Sequence, residues 1–279
     1  MNTSRPLRGL RILVTREASQ AHGLGRMLEE TGARVFLCPL IGFRPPDDWS
    51  AVDLALAALS DYQGLIFTSV NAVRFFFSRM KERLVRPDFL HEIPCFAVGP
   101  GTARAIQEEG LSVKALPERF QAEGLASLLE NLEPKGKRFL LPRAREAREV
   151  LPASLTQMGA KVDLVVVYET RRAHENRERL QALLAARSID YATFTSSSTV
   201  DAFAEFSHSG NRGLPWRQIR AACIGEVTAA SARAHGFSRL VVARKATLDG
   251  LVHAIIECEQ FHPVSGEHRA VPGSERDQP

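Results

Sequence analysis

The sequence predicts an α/β protein made of two similar, doubly wound, flavodoxin-like parallel-sheet domains. Three observations predict it. Short apolar runs alternate with helical patterns along the chain. The apolar runs are continuous rather than alternating, as strands covered on both faces require. The whole pattern then occurs a second time at a nearly fixed offset.

The elements of the first copy can be read in order. "RILVT" (Arg11 to Thr15) is a short run rich in branched apolar residues and reads as a strand. "ASQAHGLGRMLEETG" follows, with Leu24, Met27 and Leu28 at helical spacing and Gly32 as a stop. "VFLCPLI" (Val35 to Ile41) reads as a second strand and "SAVDLALAALS" as a helix. "GLIFT" is a strand and "NAVRFFFSRMKER" a helix. "IPCFAVG" is a strand, and "GTARAIQEEG" a helix closed by a glycine. "SVKALP" and "AEGLASLLENL" complete the alternation. The segment 261–279, "FHPVSGEHRAVPGSERDQP", is polar with three prolines and is expected to be a disordered tail.

The repeat is explicit. Gly9 maps to Gly136, "TGARV" onto "MGAKV", and Phe67-Thr68-Ser69 onto Phe194-Thr195-Ser196, each at an offset of 127. "AVGPGTA" from Ala97 matches "CIGEVTA" from Cys223, Gly110 matches Gly236, and Gly124-Leu125 matches Gly250-Leu251, at 126. A unit of this length is too long for a solenoid repeat and suits a domain.

Composition narrows the classes. Hydrophobic residues are 44% and charged residues 24% of the 279, a globular balance. No apolar stretch is long enough to span a membrane. The N-terminal residues lack a signal-peptide core, so no export is expected. The four cysteines, Cys38, Cys95, Cys223 and Cys258, form no CxxC pair, which suits a reducing, cytoplasmic setting without structural zinc. The formal charge of +4 is scattered apart from groups such as "RAREAR" (Arg143 to Arg148). It favours an acidic ligand at most, and no basic stripe with interleaved aromatics points to nucleic acid. GxGxxG, Walker A, GxSxG and HExxH are all missing, and the eight histidines do not cluster.

In doubly wound sheets, ligands bind outside the carboxyl ends of the strands. The repeated motifs sit there. Thr68-Ser69 and Thr195 to Ser198 each leave a strand and enter a helix. Such hydroxyls either cap the helix or, with free backbone N–H groups, hold an anion, and both readings stay open for each residue. Gly99 and Gly225 mark two further strand-to-helix turns, followed by Thr102 and Thr228. Thr15-Arg16 and Arg143 end the first strands of the two copies, where a guanidinium either pairs with a ligand carboxylate or is an ordinary surface side chain. Duplicated hydroxyls, backbone donors and arginines suit a polycarboxylate. Tyr62 and Tyr191 precede strands and read as structural. Tyr168 stands where copy one has Ile41. A phenol there could donate a proton to a leaving group or serve as an aromatic hinge.

Together, "ILVTRE", "LIFTSVNAV", "FAVGPGTARAIQEEG", "VVVYET", "TFTSSSTVDAF" and "AACIGEVTAASARAHG" resemble the uroporphyrinogen-III synthase family from about Leu10 to Glu257. Thr15-Arg16-Glu17 departs from the Thr-Arg-Pro of many members. The resemblance implies a discontinuous layout, with residues 1–38 plus 170–258 as one domain, residues 42–166 as the other, and a two-stranded connector. It implies cyclisation of hydroxymethylbilane, a linear tetrapyrrole polycarboxylate, to uroporphyrinogen III with inversion of ring D and loss of water, in a cleft between the domains. No cofactor and no metal are implied. Tyr168 would be the proton donor. Thr15, Arg16, Thr68, Ser69, Gly99, Thr102, Arg143, Ser196, Ser197, Gly225 and Thr228 would contact substrate. A cytoplasmic monomer with transient contact to porphobilinogen deaminase goes with it. The competing expectations are a non-catalytic binding protein for an anionic metabolite and a nucleotide-binding regulator.

Overall fold

The computed structural model describes residues 5–85, 87–117, 122–207 and 215–264. In chain order its elements are β1 (Arg11–Val14), α1 (Ala18–Glu30), β2 (Arg34–Leu37), β3 (Ile41–Arg44), α2 (Ser50–Ala57), β4 (Gly64–Phe67), α3 (Val70–Glu82), β5 (Cys95–Ala97), α4 (Pro100–Glu108), β6 (Val113–Ala115) and α5 (Ala122–Glu130). There follow β7 (Arg138–Ala144), α6 (Val150–Gln157), β8 (Lys161–Arg172), α7 (Arg177–Ala185), β9 (Tyr191–Phe194), α8 (Ser197–Ser207), β10 (Arg220–Cys223), α9 (Glu226–Ala234), β11 (Leu240–Val242) and α10 (Leu248–Phe261). One unit holds the chain up to Gly42 and from Arg172 onward; the other holds Phe43–Arg171.

Neither sheet is built from one copy of the repeat. The first runs β11-β10-β9-β1-β2, all parallel, and so takes two strands from copy one and three from copy two. The second runs β3-β8-β7-β4-β5-β6, with β4 to β6 from copy one and β7 and β8 from copy two. Counted from β1 or from β7, each has the flavodoxin order 2-1-3-4-5, and β3 adds an edge strand to the second. Leu40 accepts from the Ala173 N–H while Arg44 pairs with Glu169, so β3 and β8 run antiparallel.

The exchange of halves is cemented by equivalent contacts. The Arg11 backbone N–H donates to Asp190 Oδ2 at 2.8 Å, and the Arg138 N–H to Gln63 Oε1 at 2.8 Å. Each first strand is thus tied to the strand contributed by the other copy. Two pairs of repeated glycines close helices in the left-handed region. Gly32 and Gly159 have φ of 93° and 83°, and Gly110 and Gly236 have 84° and 94°. A side chain would be strained there, which accounts for glycine in both copies.

The apolar runs are continuous because both faces of the second sheet are covered. Leu65 and Phe67 of β4 pack in one buried cluster and Ile66 in another. Each fully buried side chain of this size contributes roughly 1.5–3 kcal/mol. In the first unit Ile12 and Val14 pack with Leu24, Leu28, Leu251 and Ile255.

The structure corrects one element. "VFLCPLI" is two strands, β2 and β3, separated by Cys38-Pro39-Leu40. Pro39 lacks the N–H that would continue a ladder, and the halves enter different sheets. Of the expected tail, Phe261 ends α10, and residues 265–279 lie outside the described residues.

Candidate functional site

Strand order reverses between β1 and β9 in one unit and between β7 and β4 in the other. The crevice at such a switch point is where a doubly wound sheet binds its ligand. In the second unit this end of the sheet gathers Tyr168, Thr68, Ser69 and Arg143.

Tyr168 owes its direction to a bulge. The β7–β8 register pairs Arg143 with Val166 but Ala144 with Tyr168, leaving Val167 as an extra residue. In a regular strand Val167 and Tyr168 would face opposite ways. Here Val165, Val167 and Tyr168 all join the same buried cluster. Such bulges re-aim a side chain. The Tyr168 ring is stacked on Phe75 (centroids 5.6 Å, 16° between planes) and meets Phe43 edge-on at 5.4 Å. Only 7% of the residue is exposed. Its Oη lies 3.2 Å from Ser69 Oγ, at the N-terminus of α3. Burial pushes the phenol above the ordinary tyrosine value, while hydrogen bonds from the Ser69 and Asn71 side chains act in the opposite direction.

The remaining candidates divide by what their side chains already do. Ser69 is the N-cap of α3 and accepts from the Ala72 N–H at 3.1 Å, with the half-buried Thr68 beside it. Ser196 does the same for α8, accepting from the Thr199 N–H at 3.3 Å, and its Oγ meets Ser198 Oγ at 2.9 Å. Ser197 opens α8 and is half-buried. Gly99 and Gly225 are the N-caps of α4 and α9 in extended conformation, with no side chain capping either helix. Their backbone angles suit any residue. At Gly225 an added Cβ would meet Ala246 only at 3.9 Å, so what this glycine keeps open is space. Thr102 and Thr228 occupy the first turns of those helices and are nearly buried.

Two candidates, Thr15 and Arg143, are committed to the fold. Thr15 is fully buried, and its hydroxyl donates to the Thr193 carbonyl at 2.6 Å, clasping β1 to β9. Arg143 is 6% exposed and holds Glu149 Oε1 at 2.7 Å together with the Ala147 carbonyl, which shapes the loop after β7. Its hydrogen bond, and to a smaller extent its charge, lowers the Glu149 carboxyl below the ordinary value. Arg16 donates to Gln20 Oε1 at 2.7 Å, within its own helix entry.

Some site features were not singled out from the sequence. Asn71 lies two residues beyond the serine in "TSVN", a position that looks like ordinary helix surface. Phe43 and Phe75 come from a strand and a helix far from Tyr168 in sequence. Glu169, 12% exposed, takes Arg44 at 2.5 Å and also pairs with Arg145. Its position next to Tyr168 in "YET" was the available signal. Tyr62 and Tyr191 are held to Asp163 and Glu259, at 2.6 and 2.7 Å. Among the described residues, no group of three His, Cys, Asp or Glu side chains could hold a metal ion, and no helix is long and apolar enough to cross a membrane.

The family model for uroporphyrinogen-III synthase HemD matches residues 23–253. A uroporphyrinogen-III synthase of Synechococcus elongatus is 32% identical over 260 residues, covering 90% of this chain and 96% of the relative. The chain belongs to the uroporphyrinogen-III synthase family. A putative uroporphyrinogen-III synthase of Methanothermobacter thermautotrophicus is 30% identical, with 85% of this chain and 94% of the relative covered. The porphyrin biosynthesis protein HemD of Ruminiclostridium josui is 28% identical over 91% of this chain, which spans 49% of that protein's length. Among solved structures, a mutant uroporphyrinogen III synthase of Thermus thermophilus superposes with a TM-score of 0.62 at 19% identity, covering 91% of this chain and all of that one. The uroporphyrinogen-III synthetase of Helicobacter pylori gives 0.57 at 22% identity, covering 89% and 99%. These two likenesses establish the family's fold, and the sequence relatives establish membership.

Proposed function

We propose that this chain is a uroporphyrinogen-III synthase. It closes hydroxymethylbilane to uroporphyrinogen III, inverting ring D and releasing one water. Family membership supports this reading. The observation that carries the chemistry is a buried phenol, Tyr168, whose oxygen lies against a helix N-terminus.

The C–O bond of the hydroxymethyl group breaks, and its electron pair goes to the departing oxygen. Tyr168 gives its proton to that oxygen, so water leaves. The cation that remains is spread over its pyrrole and is attacked by the substituted carbon of ring D, giving a spiro intermediate. The bond from that carbon to its original methylene bridge then breaks and re-forms at the free α-carbon of ring D. The proton lost when the macrocycle closes restores the phenol. Bound substrate reacts as one oriented unit rather than closing at random, and orientation is the larger part of the task.

Side-chain donors still available at the strand ends would hold the substrate carboxylates: Thr68, Ser196, Ser197 and the uncapped N–H groups after Gly99 and Gly225, with Thr102 and Thr228 in the same turns. Thr15 and Arg143 would act by holding the strand ends and the β7 loop in shape. Four free cysteines suit a reducing cytoplasm. The short-lived substrate favours receipt from porphobilinogen deaminase.

The test is a coupled assay. Porphobilinogen and its deaminase generate hydroxymethylbilane with and without catalytic amounts of this protein, and the oxidised products are separated by isomer. The expected result is a switch from isomer I to isomer III. Isomer I alone, from folded protein, overturns the reading.

A further inference from the structure

We propose that Ser69 and Asn71, in the first turn of α3, are positioning residues that hold the Tyr168 hydroxyl with its proton free for the substrate and stabilise the phenolate left behind. The proposal rests on the synthase reading above and assigns Ser69 a role through Tyr168 rather than on the substrate.

The hydrogen-bond inventory supports it. Ser69 Oγ already accepts from the Ala72 N–H at 3.1 Å, so its own hydrogen is available to the oxygen 3.2 Å away, Tyr168 Oη. With Ser69 as donor, the phenol keeps its proton for another acceptor. The Asn71 side chain also hydrogen-bonds the phenol, and like Ser69 it favours the ionised form. Both residues lie at the positive end of a 13-residue helix whose first turn carries no acidic side chain. A negative oxygen is favoured there and would be disfavoured among the surrounding aromatic rings alone.

The other unit provides an internal comparison. Ser196 and Ser198 stand where the repeat has Ser69 and Asn71. There the serine caps its helix in the same way, but its hydroxyl meets Ser198 at 2.9 Å. The cap belongs to the fold of both units. The phenol and the amide are present in one.

The chemical step is proton transfer without redox change. The Tyr168 O–H bond breaks as the leaving oxygen gains the proton, and the oxygen pair stays on Tyr168 as phenolate. Donation from Ser69 and Asn71 is stronger to that charged oxygen than to the neutral phenol, so it favours the transition state over the ground state.

The test uses Asn71→Ala, Ser69→Thr and Ser69→Ala in the full chain. Tyrosines labelled with 13C at Cζ are followed by NMR, and the Tyr168 resonance is assigned by its loss in Tyr168→Phe. In Asn71→Ala, kcat is expected to fall about tenfold with KM little changed and the product still isomer III. The Tyr168 resonance should move at neutral pH and titrate at higher pH than in the parent. Ser69→Thr retains the hydroxyl and should keep both properties. Ser69→Ala also removes the α3 cap, so its melting curve is read beside its rate. An unchanged kcat with an unmoved Tyr168 resonance in Asn71→Ala overturns the proposal, as does a raised KM at constant kcat. If the parent forms no isomer III, the synthase reading falls instead. The resonance, read without substrate, still decides whether Asn71 and Tyr168 are coupled.

Discussion

Among single residues, Tyr168 bears the proton that the proposed reaction needs. A general acid contributes typically 10²–10⁴ in rate, but here the pyrrole pushes the hydroxyl out as the acid pulls. Tyr168→Phe should therefore lower kcat by about tenfold to a hundredfold and leave isomer III as the product. The Phe75 stack and the Phe43 edge contact need only the ring, so the variant should melt close to the parent. Undiminished turnover under first-order conditions would remove the acid role. The acid must be protonated to work, and its ionisation is displaced upward. The alkaline fall in kcat should then lie above the ordinary tyrosine range. The sequence made Tyr168 visible because it replaces Ile41 of the other copy. It could not reveal what its oxygen touches, since Ser69 lies 99 residues away. Thr15 and Arg143 show the opposite limit. Their place at strand ends was readable, but whether a side chain there faces a ligand or its own backbone is decided by packing.

At the element scale, β4 shows how tightly the sheet is filled. Gly64 faces Phe139 in the β4–β7 register. A Cβ there would come within 2.9 Å of both the Phe139 and the Phe96 rings. Those rings pack against each other in the buried cluster beneath the sheet, so neither can move away freely. Gly64→Ala should cost about 1–3 kcal/mol, measured by urea unfolding, although alanine is otherwise tolerated in strands better than glycine. A variant as stable as the parent would mean the two rings can rearrange at no cost. Most elements were legible because continuous apolar runs and glycine stops have a direct physical meaning. The division of "VFLCPLI" was not. Both halves are apolar and β-prone, and only the tertiary structure shows that β2 continues one sheet while β3 joins another. The bulge at Val167 was hidden for the same reason, because it exists only as a mismatch with β7.

At the scale of the whole molecule, the two units are related by an exchange of repeat halves, and each conceals the same kinds of titrating group. The thiols of Cys38, Cys95 and Cys223 are pushed by burial to about 11, 12 and 12, from an ordinary value of 9.0. Burial likewise raises the phenols of Tyr62 and Tyr191, and each is further held neutral by donating to a carboxylate, Asp163 or Glu259. Every one of these groups has a folded value above its unfolded one. Each contributes stability that is complete below the unfolded value and is lost as pH rises toward the folded one. The main buried ion pairs do not share this fate. Arg11–Asp190 and Arg220–Glu259 use guanidinium groups, which stay charged throughout the range. The melting temperature should therefore show no loss from these groups between pH 7 and 8, then fall beyond about pH 9 as the unfolded thiols ionise, and more steeply beyond 10 when the phenols join. The slope should approach about 1.4 kcal/mol per pH unit for each buried thiol once its unfolded form is ionised. Cys95→Ala should be less stable at pH 7, because it opens a gap in the core, yet should lose less between pH 9 and 11. A parent protein whose stability is unchanged up to pH 11 would show that these thiols and phenols ionise as readily inside the fold as outside it, contrary to their burial.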